Sequence, residues 1–415
     1  MTSFDNNLEH RAPHEREAAL MAALPRQIAH AQQHASAFAH ILQAVDAASI
    51  NTRQALATLP VTRKYELLAR QQAERATDVF GGFSAVRFGA AMPRVFASPG
   101  PIYEPEGRHT DYWRVARALY AAGFRSGELI HNCFSYHFTP AGSIMESGAH
   151  ALGCSVFPGG TGQTEQQLQA MLDLQPAGYC GTPSFLKIML EKAAETGVKL
   201  PSLRKALVSG EACPPSLRDW FISQGVDAYQ CYATADIGLI AYETSAREGL
   251  VLDEGVIVEI VRPGTGDPVA EGEVGELVVT TLNPDYPLVR FGTGDLTAVL
   301  PGACPTGRTN QRIKGWMGRA DQTTKVRGMF VHPGQVDQVV KRFEQVHKAR
   351  LVVTGEMAND QMSLQVEAAE HNDTLKSAIE QAVRDITKLR ADVSLVSLGS
   401  LPNDGKVIED ARSYK

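Results

Sequence analysis

The sequence predicts an α/β fold with a large N-terminal domain, built from parallel sheet layers plus a β-rich subdomain, and a small α+β C-terminal domain. Three observations predict it. From Leu129 to Tyr232, short apolar runs alternate with helical patterns, as in a parallel sheet covered on both faces. From Leu239 to Leu300 the runs GVIVEIV, GELVVTTL and DLTAVL are punctuated by Gly and Pro, which reads as antiparallel strands. After Arg319 helix and strand patterns mix in a segment too short for another large sheet.

The elements follow in order. Arg16–Ala47 is Ala-rich, with Leu20, Leu24, Ile28 and Ala31 at helical spacing, and reads as one or two amphipathic helices. Thr110 is placed to cap a helix carrying Trp113, Ala116, Leu119 and Tyr120 and ending at Gly123. Strands are expected at Leu129–Cys133, Ser155–Phe157, Gly178–Cys180, Ala206–Val208 and Asp227–Tyr232. Helices are expected around Ile144–Leu152, from Thr164 (a capping box with Gln167) to Leu174, at Ser184–Thr196 and at Pro215–Ser223. In such sheets ligands sit beyond the carboxyl ends of the strands, so the loops after Cys180, Val208 and Tyr232 are the first to search. The C-terminal segment offers helices Gln335–Phe343 and Leu375–Leu389 with strands Ala349–Thr354, Met362–Val366 and Val393–Val396. The polar stretch Gly318–Gly328 separates the parts, giving domains 1–318 and 319–415.

Composition narrows the function. A chain of 415 residues exceeds one ordinary core, and 44% hydrophobic with 21% charged residues is a globular profile. A net charge of −6 argues against nucleic-acid or membrane-surface binding. No apolar run is long enough to span a bilayer, and the N-terminus lacks a signal-peptide core. Cysteines 133, 154, 180, 213, 231 and 304 form no Cys-x-x-Cys pair and mostly sit in apolar runs, so buried thiols in a reducing compartment, the cytoplasm, are expected.

Four stretches carry chemistry. Gln230–Gly238 (QCYATADIG) ends a strand and offers Asp236; a polar turn is the bland alternative. Pro287–Leu296 (PLVRFGTGDL) makes a tight turn presenting Asp295, able to accept both hydroxyls of a ribose, or to close a hairpin through an Asx bond. Gly318–Asp337 gathers Arg319, Lys325 and Arg327 around Asp321 at the domain boundary, a basic cluster for phosphates or a solvated hinge. Leu401–Asp410 carries Lys406 on a Gly-containing loop, otherwise a solvent charge.

Taken in order, these stretches resemble the acyl-adenylate-forming (AMP-binding) superfamily, phenylacetate–CoA ligase type. The family's Tyr-Gly-Leu-Ser-Glu looks like Tyr232–Asp236, its Arg-Tyr-Arg-Thr-Gly-Asp resembles Arg290–Asp295, and its Gly-Arg-x-Asp-Asp hinge resembles Gly318–Asp321. Its Gly-Lys terminus resembles Gly405–Lys406. LPVTRKYEL (59–67), AAGFRSGEL (121–129), FPGGTGQTEQQ (157–167), GTPSFL (181–186) and VSGEAC (208–213) extend the likeness over nearly the whole chain.

The resemblance implies that a carboxylate attacks the α-phosphate of ATP, expelling pyrophosphate, and that the CoA thiol then displaces AMP from the acyl-adenylate. It implies that Asp295 holds the ribose, that Ser209, Gly210, Glu211 and Tyr232 flank the adenine, and that Arg319 approaches ribose or phosphate. Asp236 would serve Mg²⁺. Asp321 would be the pivot of a mobile C-terminal domain, and Lys406 would enter the site as catalytic cation. Tyr136, His137, Thr182 and Pro183 would line an acyl pocket for a small carboxylic acid, from a class that includes aromatic ones. A carrier protein or amine as acceptor, and a homodimer, belong to the same family prior.

The sequence departs from the pattern on the phosphate side. The family's Ser-Ser-Gly-Thr-Thr-Gly-Lys-Pro loop is replaced by Val95–Thr110 (VFASPGPIYEPEGRHT), which keeps only Ser98 and Gly100. Its three prolines remove N–H donors, and Glu104 and Glu106 are expected to repel a triphosphate by about 1 kcal/mol each. Arg94 or Arg108 is available to compensate. Asp236 is one methylene shorter than the family's Glu, and Ala235 lacks a hydroxyl. The expectation divides between a working ligase with a rebuilt loop and a protein that binds AMP, an acyl-adenylate or a carboxylate.

Overall fold

The computed structural model describes residues 8–261, 266–320, 324–331, 333–355, 359–402 and 407–412, without the side chains of residues 333, 334 and 337. The chain divides into two compact units, Met1–Gly318 and Arg319–Lys415.

The first unit is organised by a nine-stranded sheet. Five of its strands run parallel, in the spatial order Ser155–Phe157, Leu129–Asn132, Gly178–Gly181, Lys205–Val208 and Asp227–Thr234. Four pair antiparallel beyond them, beginning with Gly238–Glu243 against Asp227–Thr234. The crossover helices Ala141–Leu152, Thr164–Leu174, Pro183–Glu195 and Pro215–Ser223 explain the parallel order, since parallel neighbours need a long return path. A second sheet joins Val256–Val261, Gly275–Thr281 and Phe291–Thr297 antiparallel, with Thr62–Arg63 added in parallel to the last.

Two apolar cores hold these layers. Tyr112, Trp113, Leu119, Ile130 and Leu207 pack beneath the parallel strands. Leu24, Ile28, Phe38, Ile257 and Phe291 join the N-terminal helices to the second sheet. The expected helical stretch from Arg16 to Ala47 is two helices, Pro13–His34 and Ser36–Ile41.

Two local expectations fail. No helix starts at Thr110: Asp111 and Arg114 take positive φ (53° and 64°), and the helix runs only from Ala116 to Ala121. Asp111 accepts from the Ala116 N–H at 3.2 Å, so its carboxylate satisfies the orphan donor that a capping threonine was expected to serve. The Thr164 helix forms, but its N-cap is Gln163 in the left-handed region without a side-chain cap. Gln167 instead turns back to donate to the carbonyls of Gly160 and Gly162.

The second unit has its own core around Val353, Leu364 and Ile379. Its sheet orders Asp392–Val396, Gln361–Ala368, Val346–Thr354 and Ile408–Asp410. Helix Asp373–Thr387 buries Leu375, Ile379, Ala382 and Val383, one stripe at helical spacing, and Asn372 caps it by accepting from the Leu375 N–H at 2.8 Å. Helix Pro333–Val340 completes the unit. Among the described residues, no helix is long and apolar enough to cross a membrane, and all six cysteines are buried free thiols.

Candidate functional site

The loops after the parallel strands hold most of the expected residues. Lys205–Val208 ends at Ser209, whose hydroxyl donates to the Cys231 carbonyl at 2.8 Å. Gly210 follows at φ 81°, where a side chain would strain the backbone. Glu211 then accepts from the Ser184 N–H at 3.4 Å. That N–H belongs to the first turn of helix Pro183–Glu195, which the sequence specifies twice over. Thr182 caps it, accepting from the Phe185 N–H at 3.3 Å, and Pro183 occupies the first position with its φ already helical.

Asp295 lies in strand Phe291–Thr297 and is 9% exposed. The Tyr232 hydroxyl donates to its Oδ2 and the Trp316 indole N–H to its Oδ1 at 3.1 Å. Tyr232 comes from the last parallel strand, beside a bulge that breaks its pairing with Gly238–Glu243. Two sheets and the segment before the unit boundary thus converge on one carboxylate. Ser209, Gly210, Glu211, Tyr232 and Asp295 all belong to this unit, with Ser209 bonded to the residue preceding Tyr232. Trp316 was missed by sequence reasoning; its position just before Gly318–Arg319 was the only signal.

Tyr136 and His137 follow strand Leu129–Asn132, which pairs with the strand leading to Thr182 through Asn132 and Cys180. The Tyr136 hydroxyl donates to Glu146 at 2.8 Å and accepts from Asn132 Nδ2 at 2.8 Å. Burial, then the Glu146 hydrogen bond, raise its pKa, so the phenol stays neutral. His137 is exposed and its neighbour Phe138 is 81% exposed. Deeper at this strand end, His131 is fully buried, stacks on Phe157 and meets Gln167 Oε1 at 2.7 Å. Burial lowers its pKa and keeps the ring neutral.

The replaced phosphate loop is a β-hairpin, Arg94–Ser98 against Ile102–Glu106, with Pro99, Gly100 and Pro101 in its turn. The Ala97 N–H is spent on the Phe138 carbonyl at 2.8 Å and the Ser98 N–H on Glu104 at 3.1 Å. The expected repulsion from the two glutamates is corrected. Glu104 is buried and receives the Ser98 hydroxyl; burial first, then the nearby Asp236, push its pKa up to about 8, so it is protonated at neutral pH. Glu106 is neutralised by Arg94 at 2.6 Å and receives the Trp113 indole N–H at 3.2 Å. Arg94 is therefore committed to Glu106 rather than held in reserve for phosphate.

Asp236 lies beneath this hairpin with its side chain 1% exposed. Lys64 Nζ donates to its Oδ2 at 2.8 Å, while Oδ1 has no hydrogen-bond partner. Magnesium typically takes one or two protein carboxylates and completes its shell with phosphate oxygens and water. The unpartnered Oδ1 fits one such position, and among the described residues no cluster of three or more His, Cys, Asp or Glu offers a fuller cage. Arg319 belongs to the second unit, where its guanidinium lies 5.9 Å from the Phe330 ring centre. Asp321 and Lys406 lie outside the described residues. A groove of about 520 Å³ lies between helices Thr164–Leu174 and Pro183–Glu195, and none of the expected site residues lines it.

Known proteins resemble this chain over most of its length. Residues 111–283 match the family model of AMP-binding enzymes, and residues 328–410 match that of the AMP-binding enzyme C-terminal domain. The phenylacetate-coenzyme A ligase of Thermus thermophilus is 33% identical over 342 residues, 79% of this chain and 75% of that protein. The Escherichia coli phenylacetate-coenzyme A ligase is 31% identical, over 75% of this chain and 77% of its own. Among solved structures, a 2-hydroxyisobutyryl-CoA ligase in complex with 2-HIB-AMP and CoA shares the fold, with a TM-score of 0.83 and 24% identity over 98% of this chain and 92% of that one.

Proposed function

The chain belongs to the AMP-binding enzyme family, and from that premise we propose that it is an AMP-forming acyl-CoA ligase of the phenylacetate–CoA ligase type. The observation that carries the reading is Asp295, a carboxylate at the meeting of two sheets, held on one oxygen by Tyr232 and on the other by Trp316. A carboxylate so oriented accepts hydrogen bonds from a sugar diol.

In this reading Asp295 anchors the ribose of ATP and of the acyl-adenylate. Ser209, Gly210 and Glu211 form the adenine loop, tied to the Thr182–Pro183 helix start. Tyr136, His137, Thr182 and Pro183 border the carboxylic acid, a small one, and Phe138 and Phe185 beside them in the sequence suit an aromatic acid. Asp236 Oδ1 would take Mg²⁺, which when bound neutralises phosphate charge. Arg319, the Asp321 pivot and the Lys406 cation keep the roles that the resemblance gives them. CoA is the proposed acceptor, with a carrier protein or an amine as the variant.

The test is pyrophosphate release and thioester formation with ATP, Mg²⁺, CoA and a panel of aromatic and short aliphatic acids. The expected result is turnover with at least one acid. A second reading, a protein that binds AMP or an acyl-adenylate without making it, rests on the hairpin: its turn carries two prolines and its Ala97 and Ser98 N–H groups are bonded within the protein. Silence across the panel together with tight AMP binding selects that reading.

A further inference from the structure

Trp316 is an unusual residue to find 41% exposed, and its polar edge is not left to solvent. Its backbone is clamped on both sides. The Thr297 hydroxyl donates to the Gly315 carbonyl at 2.6 Å, the Met317 N–H donates to the Leu296 carbonyl at 2.8 Å, and the Leu296 N–H donates to the Gly318 carbonyl at 2.9 Å. The segment therefore runs alongside the strand that carries Asp295, one residue out of step, and the indole N–H arrives at Asp295 Oδ1 at 3.1 Å. Gly315, at φ 93°, supplies the turn that allows this approach. On the opposite oxygen stands Tyr232, fixed to the parallel sheet.

A carboxylate rotates freely unless both oxygens are held, and donors from two directions fix its plane. Hydrogen bonds to charged groups are stronger and more directional than neutral ones. We propose that Trp316 is a positioning residue for ribose recognition: its indole N–H sets the plane in which Asp295 meets the sugar hydroxyls, and its exposed ring borders the bound nucleoside. The inference rests on the reading that Asp295 anchors the ribose. It adds a residue that touches the carboxylate from the segment immediately preceding Gly318, and it predicts sensitivity to the sugar rather than to the base.

The test compares AMP with 2′,3′-dideoxy-AMP by calorimetry on the full chain, in the unmutated protein and in Trp316→Phe, Trp316→His and Asp295→Ala. Phe keeps the ring without the N–H; His keeps an N–H donor. The expected result is about tenfold weaker AMP binding in Trp316→Phe, little change for dideoxy-AMP, and partial recovery in Trp316→His. A fluorescence change on AMP addition that is absent from Trp316→Phe is expected alongside, read against Trp113 and Trp220, the other two tryptophans. Equal affinities in Trp316→Phe and the unmutated protein, or equal losses for both nucleotides, overturn the inference; if Asp295→Ala still loses AMP selectively, the ribose anchor stands without it. If Asp295→Ala also binds AMP like the unmutated protein, the anchor and the inference fall together.

Discussion

Two carboxylates of the first unit, Asp295 and Asp236, are both held by neighbouring donors, yet they are prepared for different neighbours. Asp295 is met by neutral donors, a phenol and an indole, which orient it. Asp236 is met by a cation, Lys64, and faces a second carboxyl, Glu104, that is kept protonated by burial. The first arrangement presents an oriented negative charge, suited to hydroxyl donors. The second is nearly neutral as a whole, and the hairpin above it spends its N–H groups internally. On the proposed reading, the sugar side of a nucleotide site is kept while the phosphate side is rebuilt into a self-satisfied hydrogen-bonded hairpin.

The contrast can be broken first at Glu104. Its folded pKa, about 8, lies above the ordinary 4.5, so between those values the folded state holds a proton that the unfolded state has released. Stability must then fall as pH rises from about 4.5 to about 8, by on the order of 5 kcal/mol. Chemical denaturation at several pH values should show that slope, and Glu104→Gln should flatten it and be the more stable protein at pH 8.

Next is Lys64→Met, which leaves Asp236 buried without its cation. Complete burial of both partners would make the loss about 3–5 kcal/mol, but Lys64 is 36% exposed, so about 2 kcal/mol is expected at pH 8. The loss should shrink at pH 5, where Glu104 is protonated and the cluster carries less negative charge; urea melts at both pH values measure it. A smaller effect, roughly threefold, is expected from replacing Pro99 and Pro101 with Gly: ATP affinity should rise relative to AMP as N–H donors return to the turn, read by calorimetry. The smallest belongs to His137→Ala. An exposed side chain away from such networks changes stability by less than about 0.5 kcal/mol, and a thermal melt should not move appreciably.

The surroundings of Asp295 were more legible in the sequence than those of Asp236, and the reason is physical. Asp295, Tyr232 and the Ser209–Glu211 loop sit at strand ends, where the alternating pattern and the tight Gly turns mark them locally. The strands themselves followed from apolar runs, with boundaries shifted by a residue or two: Asp227–Tyr232 continues to Thr234. Trp316 was not legible, because its partner Asp295 lies 21 residues earlier in the chain and an exposed indole has no periodic signature. Glu104 misled because charge was read as solvent-facing, while burial within the hairpin and the nearby Asp236 keep it protonated. Thr110 looked like a helix start, but Asp111 and Arg114 at positive φ delay the helix to Ala116.

The central claim is that Asp295 anchors a nucleotide through its sugar. Titration of AMP into the unmutated protein and into Asp295→Ala tests it most directly. The account predicts roughly hundredfold weaker binding in the variant, as expected when two charge-assisted hydrogen bonds are lost, with the fold retained by circular dichroism at the temperature of the titration. Equal AMP affinity in the two proteins would contradict it.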